Sequence, residues 1–277
     1  MKVTQECYPC LGRLIHQAAE LATEDALKRA EAIEQASRLL ESSFSLEKTS
    51  IAVATPLHRI VRAVTGNPDP YFKMKEAEVA MALALGPNFG TRGSLRAEIM
   101  LAVRGNTIDF FREIDEIKTD LASPVEFAID HVDLLEARLP EAKRILYLAD
   151  NTGEVFFDLR LIWRFSRFGE VTYVVKESPV QNDVTIADIE HFGFARYLSR
   201  VISTGTDTPG VDMDSASEEF KAEFAAADLI LAKGMGYWET LSELPPQGKV
   251  FHLLKAKCGP VADSVGVPLN SYVAMLR

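Results

Sequence analysis

Apolar residues recur at helical spacing through the first half of the chain and gather into short unbroken runs in the second. Over residues 11–22 the spacing sets Leu14, Ala18 and Leu21 on one face of a helix. Ala26, Ala30, Ile33 and Leu40 continue the pattern in a second. Pro56, Pro68, Pro70 and Pro87 are expected to divide this half into several helices, with a loop at Gly90-Thr91-Arg92-Gly93. Residues 95–103 read as a buried helix.

After Pro140 the pattern becomes strand, loop and helix, repeated. The run 145–149 is apolar on both alternating faces, as a strand covered on both sides must be. A helix follows over 155–165. Further strands are expected at 171–175, 201–203, 229–232 and 250–254. Strands that alternate with helices predict an α/β fold, a doubly wound and mostly parallel sheet with an N-terminal all-helical subdomain. The division predicted is 1–140 for the helical part and 141–277 for the α/β part.

In such sheets ligands bind beyond the carboxyl ends of the strands. The first strand is followed by Asp150-Asn151-Thr152-Gly153-Glu154, the second by Lys176 and a loop with Asn182 and Asp183. The third leads to Ser203-Thr204-Gly205, the fourth to Lys233-Gly234 and the fifth to Lys255. Asp150, Asn151 and Asp183 are oxygen donors suited to a hard divalent cation. Lys233 and Lys255 could neutralise phosphate oxygens, and the amides after Thr152 could favour an anion. A plainer reading stands beside this one. Asp150-Asn151 and Asp183 could each be a helix N-cap, and lysines at strand ends are often solvated.

Composition narrows the choice of partner. Charged residues make up 25% of the chain and the net charge is −10, with no basic stripe for a nucleic-acid backbone. No apolar run reaches the roughly 20 residues of a spanning helix, and the start lacks a signal-peptide core, so a cytoplasmic protein is expected. A small phosphorylated molecule remains compatible, because a bound cation inverts the local field. Zincin, nucleophile-elbow and P-loop motifs are absent. A haloacid-dehalogenase site would want a carboxylate where Thr152 stands. A methyltransferase would want more glycine after the first strand than Gly153 alone.

Several segments together are similar to one family. They are Asp150-Asn151-Thr152-Gly153-Glu154 with Asp158, Asn182-Asp183-Val184-Thr185, Lys233-Gly234, and Leu254-Lys255-Ala256-Lys257-Cys258. Upstream come Asp69-Pro70-Tyr71 with Lys75, Gly105-Asn106-Thr107-Ile108-Asp109-Phe110, and Cys7-Tyr8-Pro9-Cys10. In this order they resemble the damage-control phosphatases (domain of unknown function 89), in the cysteine-bearing archaeal and bacterial branch. The resemblance implies a metal-dependent phosphatase of sugar phosphates or damaged phosphometabolites, using Mn²⁺, Mg²⁺, Co²⁺ or Ni²⁺. It implies Asp150, Asn151 and Asp183 as metal ligands, with Asn106, Asp109, Glu154, Lys233 and Lys255 around the substrate. Asn106 and Asp109 would share a face if a helix begins there; alternatively Asn106 caps it. Met235 and Tyr237 replace polar positions of the family pattern, which leaves a bulkier or more apolar substrate open.

Cys7 and Cys10 have zinc or redox spacing. The expectation is that they approach Cys258, against the plainer reading of two partly buried thiols at a helix start. The competing function is a non-catalytic metabolite- or metal-binding protein that keeps the pocket without turnover.

Overall fold

A computed structural model of the chain describes residues 1–85, 93–106, 119 and 124–277. Five long helices come first: α1 (Cys7–Ala22), α2 (Ala26–Ser43), α3 (Ser50–Thr65), α4 (Phe72–Leu85) and α5 (Leu95–Gly105). Local chemistry sets their ends. Asp25 accepts from the Leu27 and Lys28 amides to start α2, and Ser94 accepts from Ala97 to start α5. Gly66, in the left-handed region at φ 73°, closes α3.

Two sequence expectations shift here. The buried stripe of α1 is Leu11, Ile15, Ala18, Ala19 and Ala22, and that of α2 is Ala32, Ala36 and Leu40. Leu14, Leu21 and Ile33 pack at the margin of this core, because alanines let the helices approach on a neighbouring face. Pro56 does not end a helix but lies inside α3. Pro87, Gly90, Thr91, Arg92 and Asp109 lie outside the described residues.

The remaining elements are β1 (Phe127–Asp130), α6 (Val132–Arg138), β2 (Arg144–Leu148), α7 (Val155–Phe165), β3 (Glu170–Val175), α8 (Ile186–His191) and β4 (Arg200–Ser203). Then come α9 (Glu218–Ala226), β5 (Leu229–Lys233), α10 (Gly234–Leu241), β6 (Val250–Lys255), α11 (Gly259–Val265) and β7 (Tyr272–Leu276). The seven strands run in the order β1-β7-β6-β5-β2-β3-β4. The five from β6 to β4 are parallel, as predicted, and β7 joins β6 antiparallel with β1 beside it. Those last two strands had no clear sequence signal. β1 has only four residues, and both stand at one side of the sheet, where burial is incomplete.

Both faces of the sheet are covered. Tyr147, Tyr173, Leu231 and Phe251 face a core shared with α5 and α7, while Leu146, Val174 and Ile230 face one shared with α9 and α10. The first three helices hold a core of their own and dock over the strand ends. Arg59 and Arg62 reach Asp207, Lys75 reaches Asp188, and Asn182 reaches Glu78. Among the described residues no helix is long and apolar enough to cross a membrane.

Candidate active site

The chain leaves β2 toward β3 and leaves β5 toward β6, on opposite sides, while β2 and β5 are hydrogen-bonded neighbours. This reversal opens a crevice at the strand ends, the place where doubly wound sheets bind ligands. Asp150 and Lys233 stand on its two sides.

Asp150 is held from several directions. Asn106, at the carboxyl end of α5, donates from Nδ2 to Asp150 Oδ2 at 2.8 Å and to Glu154 Oε1 at 2.7 Å. Asn151 Nδ2 donates to the same Glu154 oxygen at 2.8 Å. The Val184 amide donates to the Asp150 carbonyl at 2.9 Å, and Asn151 bridges Asp183. Backbone pairing thus lays the two acidic segments side by side. Gly234 completes the seat: its φ is 77°, and a Cβ there would fall 1.9 Å from Asp150 Oδ2. Only glycine fits both the backbone and the space.

The N-cap alternatives are settled by hydrogen bonds. Thr185, not Asp183, caps α8, in a capping box with Asp188. Asn151 makes no side-chain cap bond to the short turn that follows it. Asn106 is the C-cap residue of α5. These side chains are therefore available for other chemistry. Ahead of that turn the Thr152 amide donates to the Asn182 carbonyl at 2.9 Å.

Burial and like charge govern the site's electrostatics. Burial, then the Glu154 and Asp183 carboxylates, push the Asp150 carboxyl well above its usual range. Burial also raises Asp183 to about 6, outweighing Lys176 and Lys75. Four carboxylates (Asp150, Glu154, Asp158 and Asp183) meet three ammonium groups, the buried Lys176 and Lys233 and the exposed Lys257. That excess of negative charge fits a dication. Asp150, Asn151 and Asp183 supply the all-oxygen set a hard cation takes. Among the described residues no three His, Cys, Asp or Glu side chains are drawn together as a metal cluster. The candidate set is two carboxylates and one carboxamide.

A cavity of about 540 Å³, within the usual range for small-molecule sites, opens over these groups. Asn106, Asp150, Asn151 and Asp183 line one side. Leu11, Leu14, Ile51 and Met74 from the helices line the other.

The damage-control phosphatase ARMT1-like domain matches residues 3–273. A damage-control phosphatase of Pyrococcus horikoshii is 34% identical over 285 residues, covering 99% of this chain and 98% of its own. One from Archaeoglobus fulgidus is 29% identical, covering 99% of each chain. An uncharacterized protein of Methanocaldococcus jannaschii is 31% identical, covering 100% of this chain and 96% of its own. The crystal structure of a DUF89 family protein from Pyrococcus horikoshii superposes with a TM-score of 0.91 at 32% identity, covering 100% of this chain and 99% of that one. The chain belongs to the damage-control phosphatase family.

Within that family frame the lysines separate into two roles. Lys233 is fully buried and donates to the Ala102 carbonyl at 2.8 Å, Glu154 Oε2 at 2.7 Å and Asp158 Oδ1 at 2.6 Å. Burial opposes its charge, but Asp158 and Glu154 hold its pKa above the ordinary lysine value. All three N–H groups are committed to these partners, so Lys233 braces Glu154 and Asp158 here. Lys255 stands over the Tyr272 ring at 5.1 Å and does not line the cavity. Lys257, two residues on, does line it, and donates to the Asn106 carbonyl.

Sequence reasoning named Lys176 after the second strand and Lys257 in a family segment but gave neither a role. Lys176 lies 3.6 Å from Asp183 and donates to the Tyr237 hydroxyl at 3.1 Å. Tyr237 is turned wholly into the core, so it is Met235, not Tyr237, that departs from the family pattern at the cavity wall. Cys7, Cys10 and Cys258 all line the cavity.

Proposed function

We propose that this chain is a divalent-cation-dependent phosphatase acting on a small phosphorylated metabolite, a sugar phosphate or a damaged phosphometabolite. The observation that supports this most is the seat of Asp150: a buried carboxylate fixed by Asn106 and Gly234, beside Asp183 and Asn151, on a site short of positive charge. Asp150, Asn151 and Asp183 would hold Mn²⁺, Mg²⁺, Co²⁺ or Ni²⁺. A dication bound there supplies Lewis acidity toward a phosphoryl group.

The chain's own residues do the remaining work. Asn106 fixes which oxygen of Asp150 faces the cavity and which is tied back. Lys257 binds the Asn106 carbonyl through one N–H and keeps further donors for phosphate oxygens. Phosphoryl transfer depends on such positioning and charge neutralisation more than on covalent chemistry. The apolar helical wall excludes water from the substrate's body.

The test is phosphate release from p-nitrophenyl phosphate and a sugar-phosphate panel, with chelator-treated protein resupplied with each cation. Release should require the cation and fall at least about 100-fold in Asp150→Ala. Full activity in Asp150→Ala would remove that residue from the mechanism. Saturable binding of the phosphorylated compounds without release would favour the non-catalytic alternative.

A further inference from the structure

The three cysteines of the chain all line the same cavity, although Cys258 lies near the opposite end of the sequence from the other two. All three are free thiols. Cys7 and Cys10 stand on the first turn of α1, three positions apart. With a helix radius of about 2.3 Å and a rise of about 1.5 Å per residue, such positions lie roughly 5 Å apart between Cα atoms and about 60° apart around the axis. That distance is inside the span of about 4.4–6.8 Å found across disulfides. Cys10 is exposed, while Cys7 is half-buried and accepts a hydrogen bond from the Thr4 amide at 3.4 Å.

We propose that Cys7 and Cys10 form a thiol–disulfide exchange site at the mouth of the cavity, taking the disulfide of a small thiol and closing as an intrahelical disulfide. Cys258 stands by as a reduced third thiol. It is half-buried as the residue before α11, and burial, with the Cys10 and Cys7 sulfurs nearby, keeps its proton bound. Cys10 is the exposed thiol of the three, so the first attack falls to the pair on α1. Ligation of a metal by the three sulfurs is the rival use of this spacing. Among the described residues no three His, Cys, Asp or Glu side chains, these three thiols included, are drawn together as a metal site, which favours exchange between a pair.

The steps balance without an outside reductant. The exposed Cys10 thiolate attacks one sulfur of the incoming disulfide, and the other sulfur leaves as a thiolate. The Cys7 thiolate then attacks the Cys10 sulfur of the mixed disulfide and expels the second thiolate. Two protein thiols become one disulfide, one small disulfide becomes two thiols, and the two protons released by the protein go to the leaving groups. The pair lines the same cavity as Lys257, the neighbour of Cys258 in the chain, and Lys257 touches Asn106, so oxidation would change the surface of the cavity that holds the metal-binding candidates.

The test equilibrates the full chain with oxidised glutathione, quenches in acid, alkylates the remaining thiols and maps them by mass spectrometry. The expected product has lost two hydrogens, carries a Cys7–Cys10 link, and takes one alkyl group, at Cys258. The Cys7→Ser variant should instead accumulate a stable glutathione adduct on Cys10. Three alkylatable thiols after equilibration would overturn the proposal, and so would a link that includes Cys258. Zinc retained at one ion per chain by the wild type and lost in Cys7→Ser would also overturn it, in favour of ligation.

Discussion

Lys255 and Lys257 carry the same charge two residues apart, yet only Lys257 lines the cavity. Strand periodicity would place both on one face, but β6 stops at Lys255 and the chain turns before Lys257. No pattern in the sequence announces that change of course, which is why the fifth strand end pointed to Lys255 and not to the cavity-lining Lys257. Lys257→Met should therefore lower kcat/KM for a phosphorylated substrate about 10–100-fold, a loss of about 1.4–2.7 kcal/mol of transition-state binding. Lys255→Met should stay within about twofold of wild type. Steady-state kinetics on the two variants separates them. Gly234 presents a different residue-scale constraint, because any side chain there collides with Asp150. Gly234→Ala should abolish cation-dependent phosphate release while leaving most of the circular dichroism intact, since the clash is confined to the site.

The end of β5 illustrates what a strand contributes beyond position. It delivers Lys233 beneath the site, where Glu154 from the turn before α7 and Asp158 from α7 itself share its charge. Burial raises Asp158 to about 6 even with the lysine beside it. Removing the lysine leaves uncompensated carboxylates in the core. Lys233→Met should cost about 3–5 kcal/mol in urea unfolding, far more than Lys257→Met at the exposed rim. The five parallel strands were legible because each is a short apolar run covered on both faces. The faces of α1 and α2 were less so, since alanine carries little hydrophobic contrast and the buried stripe rotates with whichever neighbour packs closest. Pro56 was misleading for a related reason: the proline signal is local, and tertiary packing carried α3 through it. Asp150, Asn151 and Asp183 were legible as oxygen donors after strands; their meeting needed the backbone pairing of Asn151 with Asp183, which only the folded sheet provides.

At the scale of the whole molecule, the helical half is fastened to the strand ends by the Asp207 pairs with Arg59 and Arg62, and by Lys75 between Asp69 and Asp188. The cavity lies between the two halves, so these fastenings set its width as well as the stability of the chain. Two buried histidines give the assembly an acid limit. Burial lowers His58 to about 4 and His252 to about 3. Both are neutral when folded, so below pH 6.5 the unfolded chain binds more protons than the native one. The stability these two contribute at pH 7 is then lost as pH falls from about 6.5 toward 3, while the raised carboxyls of Asp150, Asp158 and Asp183 act in the opposite sense over part of that range. Thermal unfolding should become shallower in its pH dependence over that window in His252→Phe; an unchanged slope would show that other groups set the acid limit. The account's central claim, that acidic and amide side chains from two strand ends share one cation, is tested most directly by calorimetric titration of chelator-treated protein with Mn²⁺. It predicts one cation bound per chain in the wild type and none in Asp150→Ala or Asp183→Asn at the same concentrations. Undiminished binding in those variants would contradict it.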